Sequence, residues 1–333
     1  MNKEIGLYRV NLKNYPLMHP YSIYHYDGNN VYEVWAEEFI GKYGSVYHLN
    51  CVRKCFSVKS NFHTDLCNFN PFRVSSDSYD IRKITQTPGE YHRRIFRPTL
   101  KKGDHGTNSF SSTSLNTSIS NHYHKIEIFP TDFNVFISGI QQLSTLINKL
   151  KTICDNIYPN PNNFKTYGHE VRNVLILTCT EVEAQFKGIL KANSYQYKSK
   201  TLTTKDYVKL RDTLKLQDYG ISYSYYPDIP DLSPFKDWNS KNPTKSLQWY
   251  DSYNEVKHDN ENNSHRACLI DTLNALAGLY ILLLAQYGNS LPYFKDLVGN
   301  FFRIENSPSW DFEDWYIPPF EGHVWKTKRV ELN

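Results

Sequence analysis

Leu269–Tyr287 constrains this chain most. Its densest apolar stretch, residues 275–285, is interrupted by Gly278. A membrane-spanning helix needs roughly 20 consecutive apolar residues, so this stretch is too short and predicts a helix buried inside protein. A helix that is apolar all round must be covered by others, which commits the C-terminal half to a helical bundle.

The neighbouring segments supply such helices. Residues 132–157 place Phe136, Ile140, Leu143, Leu146, Ile147 and Leu150 at three- and four-residue intervals, an amphipathic helix that Pro159 and Pro161 end. Residues 167–192 carry Val171, Val174, Leu175, Leu177, Val182, Phe186, Ile189 and Leu190 on one broad face. A shorter helix is predicted over 204–214, with Thr203 or Thr204 as N-cap and Asp206 in its first turn. Two more are expected over 245–258 and 263–287. Between them, residues 217–244 are irregular, and 221–226 read as a strand of a small inserted hairpin. The tail from 291 holds Phe301, Phe302, Trp310, Trp315 and Trp325. It is expected to pack back on the bundle, because exposed tryptophans at that density would be adhesive.

The composition changes near Thr131. Upstream, Asn is abundant and Ala scarce, which favours strands and loops over long helices. Residues 6–12, 30–35, 45–52, 56–59 and 123–129 read as strands, and Asp27-Gly28-Asn29-Asn30 is the clearest hairpin turn. Residues 101–121, rich in Ser, Thr and Asn, form a long polar loop. The chain is therefore expected to be α+β. A β-rich or mixed module over 1–130, for sensing or substrate binding, precedes a helical bundle over 131–290 and an aromatic tail over 291–333.

Cys51, Cys55, His63 and Cys67 are of the right types for a tetrahedral zinc site. Their spacing matches no common finger, and the competing reading is ordinary buried thiols. The six cysteines are too sparse for a disulfide scaffold in 333 residues. The N-terminus lacks the apolar core of a signal peptide, so a cytoplasmic chain with no membrane partner is expected. Net charge is only +4, but Arg73, Arg82, Lys83, Arg93, Arg94, Arg97, Lys101 and Lys102 concentrate upstream of the bundle. Such a cluster permits a nucleic-acid partner.

The segment W-Y-D-S-Y-N-E-V-K-H-D opens the last long helical region. Asn254, Lys257 and His258 fall at i, i+3 and i+4 and so share one helix face. An imidazole beside a cation and an amide is a workable kit for handling phosphate; the alternative is helix capping, with Lys257 suited to the C-terminal dipole. Glu183 and Lys187 are spaced as an i, i+4 ion pair, and Glu181 diverges from Glu183.

The helix V-R-N-V-L-I-L-T-C-T-E-V-E-A-Q-F-K, together with V-K-H-D and the run into L-N-A-L-A-G-L, resembles the HEPN superfamily of helical bundles over residues 167–287. Those bundles occur in prokaryotic ribonucleases, toxins and antiviral systems. The resemblance implies a metal-independent endoribonuclease, an effector of antiphage or abortive-infection defence. It implies attack by the ribose 2′-OH, with His258 as acid or base and Lys257 and Asn254 beside it. Arg172, Arg266, Arg93 and Arg94 are the candidate phosphate-binding residues. RNA, a second copy of the chain as homodimer and a partner protein of a defence system are the implied partners, with no cofactor. The family's arginine stands four to six positions before its histidine, where this chain has Asn254, Tyr253 and Ser252. That departure supports a second expectation, a non-catalytic module binding nucleic acid, nucleotide or protein.

Overall fold

This computed structural model describes residues 5–12, 22–41, 44–69, 79–99, 130–197, 200–288, 297–320, 322–330 and 332. The chain is mixed α/β with an antiparallel sheet at its N-terminus. It forms two compact units, one of Met1–Tyr91, Arg97–Glu127 and Trp310–Thr327, the other of His92–Phe96, Ile128–Ser309 and Lys328–Asn333. The expected boundaries at 130 and 290 follow the change of secondary structure. The units instead interleave along the chain, short runs from before residue 130 and after 290 belonging to the other unit.

In the first unit, strands β1 (Gly6–Leu12), β2 (Ser22–Tyr26), β3 (Asn30–Gly41), β4 (Gly44–Ser57) and β5 (Tyr79–Lys83) form one antiparallel sheet, ordered β4-β3-β2-β1-β5. The predicted turn joins β2 to β3. Gly28 takes the left-handed φ of +102° that favours glycine, and the Asp27 carboxylate accepts the Asn29 and Asn30 amides at 2.8 and 2.7 Å. These bonds hold that carboxyl well below the usual range. Both sheet faces are covered. Leu7, Ile23, Val34, Leu49 and Ile84 pack with Phe312 and Ile317. Tyr8, Val10, Tyr24, Tyr26, Val31 and Tyr79 pack with Phe62 and Leu66 of helix α1 (Phe62–Phe69). Strand β6 (Glu90–Tyr91) pairs in parallel with Lys326–Thr327. Residues 310–327 of the aromatic tail thus belong to the sheet unit, while Phe301, Phe302 and Val330 enter the helical core. The predicted strand 123–129 and loop 101–121 lie outside the described residues, as do Arg73, Lys101 and Lys102.

The second unit is built on α2 (Pro130–Cys154), α3 (His169–Ala192), α6 (Gln248–His258) and α8 (Leu269–Tyr287), with the short helices α4 (Thr204–Tyr207), α5 (Leu210–Thr213) and α7 (Asn260–Asn263) between them. Helix α8 is its centre: all its residues but Ile270 and Asn274 are buried. Among the described residues it is the helix long and apolar enough to cross a membrane, and 89% of its apolar window is buried inside the protein. Two amides at its N-terminus, which no helix can satisfy internally, donate instead to Thr166 O at 2.9 Å and Phe164 O at 3.1 Å. The predicted helix 263–287 is therefore broken, α7 and the turn Ser264–Arg266 standing apart from α8. Thr203 and Asp206 form a capping box at the start of α4. The strand near 221 is Gly220–Tyr223; Ile221 bridges antiparallel to Leu232 within the inserted segment, through backbone bonds of 2.9 and 2.8 Å, and the strand also pairs antiparallel with Phe302–Asn306 of the tail. Packing draws it there: Phe302 stacks on Tyr280 at 4.4 Å between ring centroids.

Candidate functional site

Helix α6 buries Trp249, Tyr250, Ser252, Tyr253 and Val256, leaving Asn254, Lys257 and His258 on its outer side. Asn254 is half-buried, and Lys257 and His258 are exposed. Among the described residues, no hydrogen bond or ion pair engages the His258 ring or the Asn254 amide. Asp259 has a structural task, accepting the Asn262 amide at 3.2 Å as N-cap of α7.

Lys257 turns back from that pair. Its Nζ donates to Tyr253 Oη at 2.7 Å, lies 4.9 Å from the Tyr253 ring centroid and is 3.9 Å from Glu183 Oε1. Glu183, on α3, is the hub. Its Oε1 accepts from Tyr250 Oη at 2.7 Å and Tyr253 Oη at 3.2 Å, and its Oε2 accepts from Lys187 Nζ at 3.0 Å. Burial alone would raise the Glu183 pKa, but Tyr250, Lys187 and Lys257 outweigh it and hold the carboxyl below its ordinary range. The hydrogen bond to Tyr253 raises Lys257. Burial, reinforced by Glu183, raises Tyr250 far above a free phenol. The cluster therefore keeps the Glu183 carboxylate and the Lys257 ammonium charged across neutral pH, with half of the Lys257 side chain open to solvent. Sequence reasoning found the Glu183–Lys187 pair and missed the two phenols. Tyr250 and Tyr253, three apart on the buried side of α6, were the available signal.

The candidate arginines are mostly engaged. Arg266 pairs with Glu255 and lies 3.6 Å from Asp251, carboxylates one turn apart on α6. Arg93 makes a two-pronged bond to Asp132 in the first turn of α2. Arg94 donates from Nε to Gln286 Oε1 at 2.9 Å and from Nη2 to Gln185 Oε1 at 2.6 Å. Arg93, Arg94 and Arg266, expected to face phosphate, are thus each engaged by carboxylates or amides of the helical unit. Arg172 is half-buried in the first turn of α3.

Three members of the zinc set can be placed. Cys55 and Cys67 pack against the apolar cluster around Phe62, His63 is exposed beside the Tyr8 and Phe62 rings, and the Cys51 side chain lies outside the described residues. Among the described residues no group of three His, Cys, Asp or Glu is placed to hold a metal. The strand β4 departs from regular alternation. Its register against β3 shifts twice, leaving Cys55 and Val52 unopposed.

Buried beneath α6, the Asp271 carboxylate accepts from Ser252 Oγ at 2.9 Å and Cys268 Sγ at 3.3 Å. Burial raises its pKa, with Ser252 and Cys268 offsetting part of that rise. Comparison of the chain with protein-family models, curated proteins and solved structures finds no match.

Proposed function

We propose that the helical unit is a HEPN-like, metal-independent endoribonuclease of a defence system, acting on RNA through the outer side of α6. The observation that carries this reading is the state of His258. It is exposed, without an intramolecular partner among the described residues, and adjoins an ammonium that Tyr253 and Glu183 keep charged. Such an imidazole is free to accept a proton from a ribose 2′-OH and return one to the leaving oxygen, while Lys257 offsets charge on the phosphate. Lys binds phosphate as a point charge and lacks the bidentate grip of Arg. Asn254, one turn before His258, would orient either group. A homodimer would bring two copies of this face together.

A specific observation favours a second reading, a non-catalytic module that binds RNA or a partner protein: Arg93, Arg94 and Arg266 are tied to intramolecular acceptors, so the arginine of the family reaction has no supplier among them. Incubation of the purified chain with RNA in EDTA separates the two. Turnover that disappears in His258→Ala supports the ribonuclease; salt-dependent binding without turnover supports the module.

A further inference from the structure

The second unit buries polar groups that its own helices satisfy only in part, Asn193 Nδ2 donating to Ile189 O and Gln286 Nε2 to Leu282 O, both at 2.9 Å. Asp132 on α2, Gln185 on α3, Gln286 on α8 and Asn193 at the end of α3 are each at most 4% exposed. A bundle made only to bury apolar surface gains nothing from such residues, since an unmatched buried polar group is costly. Residues 92–96 provide the matching groups. Arg93 clamps Asp132, and its carbonyl accepts from Asn193 Nδ2 at 2.7 Å. Arg94 bridges Gln185 and Gln286, which also bond to each other at 3.2 Å. Gln185 passes the polarisation on, donating to Glu181 at 2.6 Å. Ile95 enters the core at 3% exposure, and the Phe96 amide donates to Ala285 O at 2.9 Å.

The groove is also shaped for this segment. A Cβ at Gly188 would collide with the Arg94 guanidinium, so the missing side chain makes the room. Arg94 itself is left-handed, with φ of +56°, a sparsely populated conformation for arginine that its surroundings must hold. The residues on either side, up to 91 and from 97, belong to the sheet unit.

We propose that the groove over Gly188 is a peptide site for an Arg-Arg-apolar-aromatic segment. In this chain its own residues 92–96 fill it as an intramolecular ligand, and the same motif supplied in trans can take its place. Two guanidiniums are read by one carboxylate and two amides, and the following apolar side chain by the core beside α8. The inference is independent of any nuclease activity.

The test uses the full chain and a synthetic peptide of residues 91–97. In the double variant Arg93→Ala/Arg94→Ala the peptide should bind saturably and raise Tm, and a peptide with both arginines replaced by alanine should bind at least about tenfold more weakly. Should that variant fail to fold, the wild-type chain serves. There, excess peptide should speed hydrogen exchange at the Phe96 amide by displacing the internal segment, and the alanine peptide should not. Equal binding of the two peptides, or no binding to a folded variant together with unchanged Phe96 exchange, would overturn the proposal.

Discussion

One buried and one half-buried carboxylate in the helical unit carry opposite linkage. Asp271 is raised by burial, so its folded state favours the proton; stability is fullest below the ordinary aspartate value of 3.8 and falls as pH rises above it. Asp271→Asn keeps an acceptor for Ser252 and removes the buried charge. It should stabilise the chain by about 1 kcal/mol at pH 7, and the gain should vanish near pH 3 in thermal melts. Glu183 is held low, so its contribution is present above the ordinary value of 4.5 and lost as pH falls through the depressed one. Glu183→Gln should therefore cost about 1–3 kcal/mol at pH 7, shrinking in denaturant titrations below pH 4. Lys257 should loosen with it, since Tyr253 then bridges to a neutral amide. The sequence placed Asn254, Lys257 and His258 on one face correctly, because helical spacing is local information. It could not show that Lys257 bends toward Glu183, or that the arginines already had partners, because those contacts join residues far apart in the chain.

Elements with one buried face were the most legible. Helices α2 and α3 follow from apolar spacing, α4 from its capping box, and α8, buried nearly all round, from its dense apolar run. Strand β2 escaped notice because Ile23 and Tyr24 both enter cores on opposite sheet faces, which erases the alternation that marks a half-buried strand. Helix α1 is short, and its signal was Asn61, whose side chain accepts from the His63 amide at 2.9 Å. The strand at 220–223 and its return within the insert at Leu232 were visible, but its partner in the tail was not. Helix α3 offers a test of the segment lying across it. Replacing a mid-helix glycine with alanine ordinarily stabilises by up to about 1 kcal/mol. At Gly188 the sign should reverse, with a loss of about 1–3 kcal/mol as Arg94 is forced aside, read from the denaturation midpoint. A stabilised Gly188→Ala variant would mean that Arg94 does not lie there.

At the scale of the whole chain, two kinds of architecture follow one another in sequence but not in folding units. A boundary at 130 is where composition changes, yet the helical unit takes 92–96 and 328–333 from outside the expected bundle, and the sheet unit takes 310–327. A fragment of residues 131–333 should therefore melt well below the full chain and lose near-ultraviolet dichroism, because Asp132, Gln185 and Gln286 lose their arginine partners. A fragment with an unshifted melt would restore the simple boundary. The central claim concerns what this helical unit does with the exposed imidazole of His258. The measurement that reaches it most directly is cleavage of total RNA and tRNA in EDTA by the wild-type chain and by His258→Ala, with the product ends identified. The account predicts 2′,3′-cyclic phosphate ends from the wild type and a rate at least about 100-fold lower from the variant. Equal cleavage by both, or intact RNA after incubation with folded wild-type protein, would contradict it.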